Sequence, residues 1–176
     1  MRMLFTSNHD KNAWEGTMHE QFADGLEAAI VLSVISEGIP LVYNGQETGN
    51  RRRLAFFERD PISWPEDGSL DRIGELYRTL FALKRETTAL HNAAWGARMV
   101  RVVNSDLSHV FSFVREDAEA KVLGVFNFSD EVRTVTLLDG PFQGSYRQPL
   151  GGDPVHLGDG ARVEVEPWGW RVLVAD

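Results

Sequence analysis

The chain has 176 residues, 43% of them hydrophobic, which is enough for one full domain or two small ones with a buried core. Its net charge of −8, from 26 acidic and 18 basic residues, repels nucleic-acid phosphates and anionic bilayers and argues against both as partners. It contains no cysteine and no membrane-length apolar run, so disulfides, thiolate metal sites and a membrane-spanning helix are not expected.

A short apolar strand is predicted at residues 3–5, and it leads into the polar sequence TSNHD. This sequence sets His9 beside Asp10 close to the carboxyl end of the strand. The start of the chain, MRMLFTSNHD, contains no apolar stretch long enough for a signal peptide, so the sequence does not indicate a cellular location. We expect a pair of titratable side chains where this strand ends.

One long helix is predicted for residues 19–37, where apolar side chains recur at helical spacing. Gly38 and Pro40 are expected to end it. A second apolar strand at residues 39–43 then opens into the polar sequence NGQETG. Two strands joined by a helix, each followed by polar residues, are typical of the active-site edge of a (β/α) barrel. The expected buried face of the helix consists of Phe22, Leu26, Ala29, Ile30, Ser33 and Val34.

A long polar and aromatic connection spans residues 51–69 and leads to a second predicted helix at residues 70–85. A loop of this length in a compact domain is more often functional than idle. The helix has Asp71 near its start and Lys84 and Arg85 near its end, where their charges suit the helix dipole. Its expected buried face consists of Ile73, Leu76, Tyr77, Leu80, Phe81 and Leu83.

After residue 91 the apolar residues alternate with a period of two, which is typical of strands, and Asn, Asp and Gly mark turns between the runs. Short strands at this spacing favour an antiparallel sandwich. The predicted fold class is an α/β fragment over residues 1–91 followed by an all-β antiparallel sandwich over residues 92–176. The six predicted strands lie at residues 100–103, 110–115, 121–128, 132–138, 161–166 and 170–175.

The motifs of the chain, taken in order, resemble those of the carboxyl-terminal part of α-amylase family glycoside hydrolases. They are FTSNHD with NAWEGT, then GIPLVYNGQETG, RLAFFERDPISW and the closing EPWGWRVLV. Ordered motifs are far more specific than any one alone. The resemblance implies that residues 1–91 are the last two βα units of a catalytic (β/α)8 barrel, a TIM-type barrel, and that residues 92–176 are the accessory β-sandwich domain.

The resemblance also implies roles for individual residues in a sugar pocket. Asp10 would be the third acidic residue of the active site, which holds sugar hydroxyls and stabilises the distorted transition state. His9 would bind substrate beside it, and Asn8 and Tyr43 would be further substrate-binding residues. The implied substrate is an α-1,4-glucan or maltooligosaccharide. We expect no cofactor and no metal.

The motifs do not supply the two other catalytic groups of a retaining glycosidase. Such an enzyme needs a nucleophile and an acid about 5–5.5 Å apart across the bond, and the resemblance assigns both to earlier barrel strands. Nothing in the sequence aligns Glu15, Glu20 or Glu47 with Asp10 as such a pair. We therefore expect the chain to be inactive alone, and to be a fragment, a truncated gene product or an engineered piece of a longer enzyme.

Other interpretations stay open at this stage. An Asn-His-Asp sequence is common in turns. His9 and Asp10 could also bind a metal, although adjacent residues of an extended segment point to opposite faces. Phe56 and Phe57 suit the anchoring of a loop as well as a sugar cleft. The residues considered for lining such a cleft are Tyr43, Asn44, Gln46, Phe56, Phe57 and Trp64.

Two parallel strands taken from a barrel would leave unpaired backbone at both edges. We expect residues 1–91 to pack onto the sandwich in a rearranged form, to pair with a second copy, or to dock on a separate chain bearing the earlier barrel strands. The alternative function is a non-catalytic module, in which the sandwich binds carbohydrate or mediates assembly. Trp168 and Trp170 would be its binding platform, although core packing is favoured for both.

Overall fold

A computed structural model describes residues 2–175 of the chain. Within them lie the α-helices α1 Met18–Phe22, α2 Leu26–Ile35 and α3 Arg72–Glu86. The strands are β1 Met3–Leu4, β2 Ile39–Pro40, β3 Met99–Arg101, β4 Val103–Asn104, β5 Val110–Glu116, β6 Lys121–Asn127, β7 Arg133–Asp139, β8 Gly144–Arg147, β9 Val155–Leu157, β10 Arg162–Val165 and β11 Trp170–Ala175. None of the helices in these residues is long and apolar enough to cross a membrane.

The second half of the chain forms the antiparallel sandwich that the period-two pattern predicts. One sheet has the strand order β3-β5-β6-β11-β8-β9 and the other β10-β7-β4. The predicted strand at 100–103 is divided, because the chain crosses from the first sheet to the second at Val102, whose side chain is fully buried. Strands β8 and β9 were missed, since their short runs carry too few apolar residues to show an alternation.

The central strands β5, β6 and β11 of the six-stranded sheet are covered on both faces. One face meets the second sheet, and the other meets α2 and α3. Gly124 on β6 permits the close approach of α2, because a Cβ there would lie 3.2 Å from Ile35 Cδ1 and 3.1 Å from Phe113 Cζ. Nearly every residue of β5 and β6 is buried, whichever face it points to, as expected for strands covered on both sides.

The helix predicted at 19–37 is interrupted, and its predicted buried face is partly wrong. Residues Ala23–Gly25 form a 3-10 turn between α1 and α2, with Ala23 at a φ of 45°. Phe22 is exposed, and Ala29 and Ser33 are only half-buried. The helix α2 is apolar on all sides, so its sequence cannot indicate which side meets the core. The side chains that do are Leu26, Ala28, Ile30, Val31, Val34 and Ile35.

The predicted helix at 70–85 is confirmed as α3, which begins one residue after its N-cap, Asp71. The Gly74 backbone N–H donates to Asp71 Oδ1 at 2.9 Å. Leu76 is half-buried and Phe81 is 37% exposed, so the predicted buried face is partly wrong. Lys84, assigned from the sequence only to the helix dipole, is 7% exposed. A buried lysine indicates specific partners at the junction of helices and sandwich.

The strands β1 and β2 pair in parallel, with Met3 opposite Ile39. Both are shorter than predicted, at two residues each, although Leu41 N also donates to Leu4 O at 2.8 Å. The fold is thus mostly antiparallel sheet with few helices, and so short a parallel pair does not by itself make a barrel evident.

Candidate functional site

The TSNHD sequence leads from β1 into a π-helical turn at Lys11–Glu15. Asn8 Oδ1 accepts a hydrogen bond from Lys11 N at 2.8 Å, which fixes the start of the turn. The side chains of His9 and Asp10 are 65% and 61% exposed, with His9 Nε2 3.6 Å from Asp10 Oδ2. The carboxylate of Asp10 therefore faces solvent and is free to meet a ligand.

A buried amide connects the loop after β1 with the loop after β2. Gln46 Nε2 donates to Thr6 Oγ1 at 2.7 Å and to the Tyr77 hydroxyl at 3.3 Å. Its Oε1 accepts from Tyr43 N at 2.7 Å. Gln46 is only 4% exposed, so its proposed place in a sugar cleft is wrong. It holds the Tyr43 loop against the segment that carries Asn8.

A second buried amide attaches the long loop to the same place. Asn12 Nδ2 donates to Arg52 O at 3.2 Å, and Asn12 Oδ1 accepts from Leu54 N at 2.7 Å. Arg53 adds a two-point ion pair to Glu20, with its Nη2 3.0 Å from Oε1. These bonds bring Phe56 and Phe57 to the π-helical turn.

Three aromatic rings pack against one another beside His9, and we call Trp14, Phe56 and Phe57 the aromatic cluster. Of the three, Phe56 is the ring that contacts His9. The centroid of Phe56 lies 5.6 Å from that of His9, 5.4 Å from that of Trp14 and 4.7 Å from that of Phe57. Trp14 is 62% and Phe57 80% exposed. Large apolar rings left in water beside a carboxylate are typical of a ligand-binding surface.

Two of the three nearby glutamates, Glu15 and Glu20, are held by other partners. Glu15 pairs with Lys11, whose Nζ lies 2.5 Å from Oε2. The Arg53 side chain and the Thr17 backbone N–H hold the pKa of Glu20 at about 2, so Glu20 cannot act as a proton donor at neutral pH. Glu47 Oε2 is buried and has no hydrogen-bond partner within the described residues.

The four residues that the motifs assigned to a sugar pocket lie on two connected loops. Asn8, His9 and Asp10 follow β1, and Tyr43 follows β2. Sequence reasoning missed Trp14 and the anchoring role of Asn12, although both lie in the NAWEGT motif. Within residues 2–175, no three His, Asp or Glu side chains come together as a metal site.

Three comparisons relate the chain to known proteins. A family model described as the β-galactosidase C-terminal domain matches residues 113–175. Alpha-amylase 2 of Dictyoglomus thermophilum is 26% identical over 161 residues, which cover 86% of this chain and 26% of that protein. Among solved structures, the maltogenic alpha-amylase AmyB of Thermotoga neapolitana matches with a TM-score of 0.79 and 22% identity, over 99% of this chain and 41% of that one. An alpha-amylase of Lactobacillus plantarum matches with a TM-score of 0.70 and 21% identity, over 99% and 38%.

The structural matches extend over both halves of the chain, including the helices and the loops after β1 and β2. The chain spans about a quarter of the curated relative and about two-fifths of the solved structures. The resemblance to the carboxyl-terminal part of α-amylase family enzymes is confirmed, and the solved structures share the fold of this chain.

Proposed function

From this resemblance, we propose that the chain is the carboxyl-terminal segment of a retaining glycoside hydrolase acting on α-1,4-glucans or maltooligosaccharides. In it, Asp10 stabilises the positive charge that develops on the sugar at the transition state, and His9 binds a substrate hydroxyl beside it. Asn8 and Tyr43 contribute to the same pocket. The single observation that carries the proposal is the solvent-facing Asp10 carboxylate next to the aromatic cluster.

The chemistry of each group fits this assignment. An exposed carboxylate accepts hydrogen bonds from sugar hydroxyls, and its negative charge attracts an oxocarbenium-like centre more strongly than the neutral substrate. The faces of Trp14 and Phe57 suit the apolar faces of pyranose rings. Glu15 and Glu20 are held in ion pairs, so neither supports the nucleophile and acid pair that retention requires.

We further propose that residues 1–91 are the last two βα units of a catalytic (β/α)8 barrel, with residues 92–176 as the accessory sandwich. The parallel pairing of β1 and β2 across the α1–α2 segment supports this. The polar loops follow the carboxyl ends of both strands, where such barrels carry their active sites.

The missing catalytic groups would come from polypeptide that packs on the outer side of α2. An open apolar groove lies there, lined in part by Leu4, Phe5, Phe22, Ala29 and Leu32. A helix that is apolar on all sides is expected to be covered on all sides. We propose that an amino-terminal barrel portion occupies this groove. If it does not, the groove is expected to pair with a second copy of this chain.

A chimera tests the proposal. The Thermotoga neapolitana relative is cut where its similarity to this chain begins, and its amino-terminal part is fused to this chain. We expect the isolated chain to be inactive on maltoheptaose and the chimera to hydrolyse it. Asp10→Asn in the chimera should lower kcat by about 10²–10³-fold, the cost of losing one electrostatic stabiliser. Asp130→Asn, at an exposed aspartate of the sandwich, is the matched control.

Three results would count against the proposal. Hydrolysis of starch by the isolated chain would show that it carries its own nucleophile and acid. Full activity of the Asp10→Asn chimera would remove the assigned residue from the mechanism. A folded chimera that is inactive would favour the non-catalytic module, in which the sandwich binds carbohydrate or mediates assembly.

A further inference from the structure

A second cleft lies between the helices and the sandwich, and it shares no residue with the Asp10 pocket. Its volume is about 590 Å³, within the range of about 300–1,000 Å³ that is usual for ligand sites. Aromatic and charged side chains line it together, among them Trp168, Trp170, Asp24, Arg51 and Arg171. We call it the junction cleft.

The backbone at Trp168 is strained. Its φ is 51°, in the left-handed region, although a glycine follows at position 169 and could take that conformation at no cost. A bulky residue with positive φ is a true outlier, and such outliers cluster at functional sites. The bond from Trp168 N to Ser129 O, 2.9 Å long, holds the turn in place.

This conformation directs the indole to the junction. The ring lies over Gly25, where an added Cβ would be 3.4 Å from Trp168 Cε3. Trp168 is nevertheless only half-buried and borders the junction cleft, so packing on Gly25 covers just part of the ring. The rest of the ring borders both the junction cleft and the apolar groove on the outer side of α2, and the part at the cleft is an aromatic platform. Trp170, by contrast, packs partly against the helical core.

Polar groups near the indole have unused hydrogen-bonding capacity. Within the described residues, Asp24 and Arg51 make no ion pair and their side chains make no hydrogen bond, and both are exposed. His19 Nε2 is buried without a hydrogen-bond partner in residues 2–175. Burial and the Arg51 guanidinium lower the pKa of His19, which favours the neutral ring. In neutral imidazole one ring nitrogen donates and the other accepts, so either can form a hydrogen bond with a hydroxyl group.

We propose that the junction cleft is a second carbohydrate-binding site, which takes an α-glucan segment with Trp168 as the stacking platform and Asp24 and Arg51 as hydroxyl partners. Four carboxylates and three guanidiniums line it, so neither an anion nor a cation is strongly favoured. An aromatic face flanked by charges of both signs suits a neutral ligand with an apolar face and hydroxyl edges. The choice of α-glucan among oligosaccharides rests on the proposed function.

Titration calorimetry of the full chain tests the site, with maltoheptaose as the ligand and cellopentaose as a β-linked comparison. Every variant also carries Phe57→Ala, so that heat from the Asp10 pocket is reduced. We expect Trp168→Ala to weaken maltoheptaose binding by about tenfold, the effect of one lost stacking ring. Arg51→Ala should weaken it severalfold. Trp95→Ala, at a tryptophan that is 80% exposed and outside the cleft, should leave it unchanged.

Because Arg51 is exposed, Arg51→Ala is expected to fold normally. It therefore tests the cleft even if Trp168→Ala lowers the unfolding temperature. The proposal is overturned if the chain does not bind maltoheptaose at millimolar concentration, or if both variants bind as tightly as the parent. Equal binding of cellopentaose would overturn the α-glucan assignment. An inactive chimera combined with Trp168-dependent binding would refute the proposed catalytic role alone.

Discussion

Arg115 and Lys84 donate to the same backbone oxygen, that of Leu90. Lys84 Nζ lies 2.6 Å and Arg115 Nη1 3.3 Å from it. Arg115 also donates to the carbonyl oxygens of Ile35 and Ser36, at 3.1 and 3.0 Å. Neither cation has a carboxylate partner in residues 2–175. Because helix C-termini attract positive charge, this pair holds the end of α2 to the sandwich.

Replacing Arg115 with Met should be among the most destabilising single changes in the chain. The side chain is 1% exposed, and its loss leaves several buried carbonyl oxygens without donors. We expect the free energy of unfolding to fall by about 3 kcal/mol or more, measured by urea denaturation. Arg101→Met, on an exposed position of the neighbouring strand β3, should change it by less than about 0.5 kcal/mol. Equal losses of unfolding free energy for Arg115→Met and Arg101→Met would show that the hydrogen bonds of Arg115 contribute little to stability.

The stability of the chain should rise with pH in the alkaline range because of Lys84. Burial, with a smaller effect of the Arg115 charge, lowers the pKa of Lys84 from 10.5 to about 8. Between these values the unfolded chain binds the proton more often than the folded chain, so raising the pH favours folding. Lys84→Met should abolish this rise in urea unfolding experiments. Burial raises the pKa of Tyr77 and Tyr146 from 10.0 to about 12, so above pH 10 these tyrosines ionise first in the unfolded chain and favour unfolding. The parent and the variant are therefore compared below pH 10. A rise that persists in the variant would contradict the assignment.

Glu20 should govern part of the acid sensitivity of the chain. It accepts from Thr17 N at 2.7 Å in a capping box and pairs with Arg53, and its pKa is lowered from 4.5 to about 2. Its contribution is complete above the unfolded value and is lost as the pH falls toward the folded one. The unfolding temperature of Glu20→Gln should therefore lie below that of the parent above pH 4.5, and the two temperatures should converge near pH 2. The control Glu58→Gln, at an exposed residue without an ion pair among the described residues, should unfold at the same temperature as the parent at neutral pH.

Adding one methyl group at Gly124 should strain the contact between α2 and the sheet. Its Cβ would lie 3.0 Å from Phe126 and 3.2 Å from Ile35, closer than ordinary van der Waals contact. Gly124→Ala should lower the free energy of unfolding by about 1–3 kcal/mol, the usual cost of overpacking. Gly158→Ala, which meets no atom within 4 Å, should change it little. Equal urea midpoints for the two variants would show that the helix moves away without cost.

The aromatic cluster should contribute to substrate affinity in the chimera described above. Phe57→Ala removes a ring that is 80% exposed, so the fold should be unaffected. We expect KM for maltoheptaose to rise by up to about tenfold with little change in kcat, because stacking holds substrate and transition state alike. Trp95→Ala, equally exposed but remote, is the control. An unchanged KM would assign the cluster to contacts with other polypeptide.

The strongest sequence signals were those set by local geometry. Alternating apolar residues predicted the strands around β5, β6 and β11, because inward and outward positions alternate along any strand. Asp71 and the apolar spacing after it predicted α3 for a similar reason. The break at Ala23 was missed, since nothing near it in sequence indicates that Trp168 will lie over Gly25.

The sequence by itself determined the type of most elements, the order of the motifs and the presence of His9 and Asp10 after a strand. Those features depend on neighbours along the chain and on residue chemistry. Only the tertiary structure decided that Gln46 is buried and links two loops by hydrogen bonds, and that Lys84 is buried. It also decided that Trp14 packs with Phe56 and Phe57 beside His9. Each of these depends on which distant segments pack together, and that packing is set by the summed burial of both halves rather than by any local pattern.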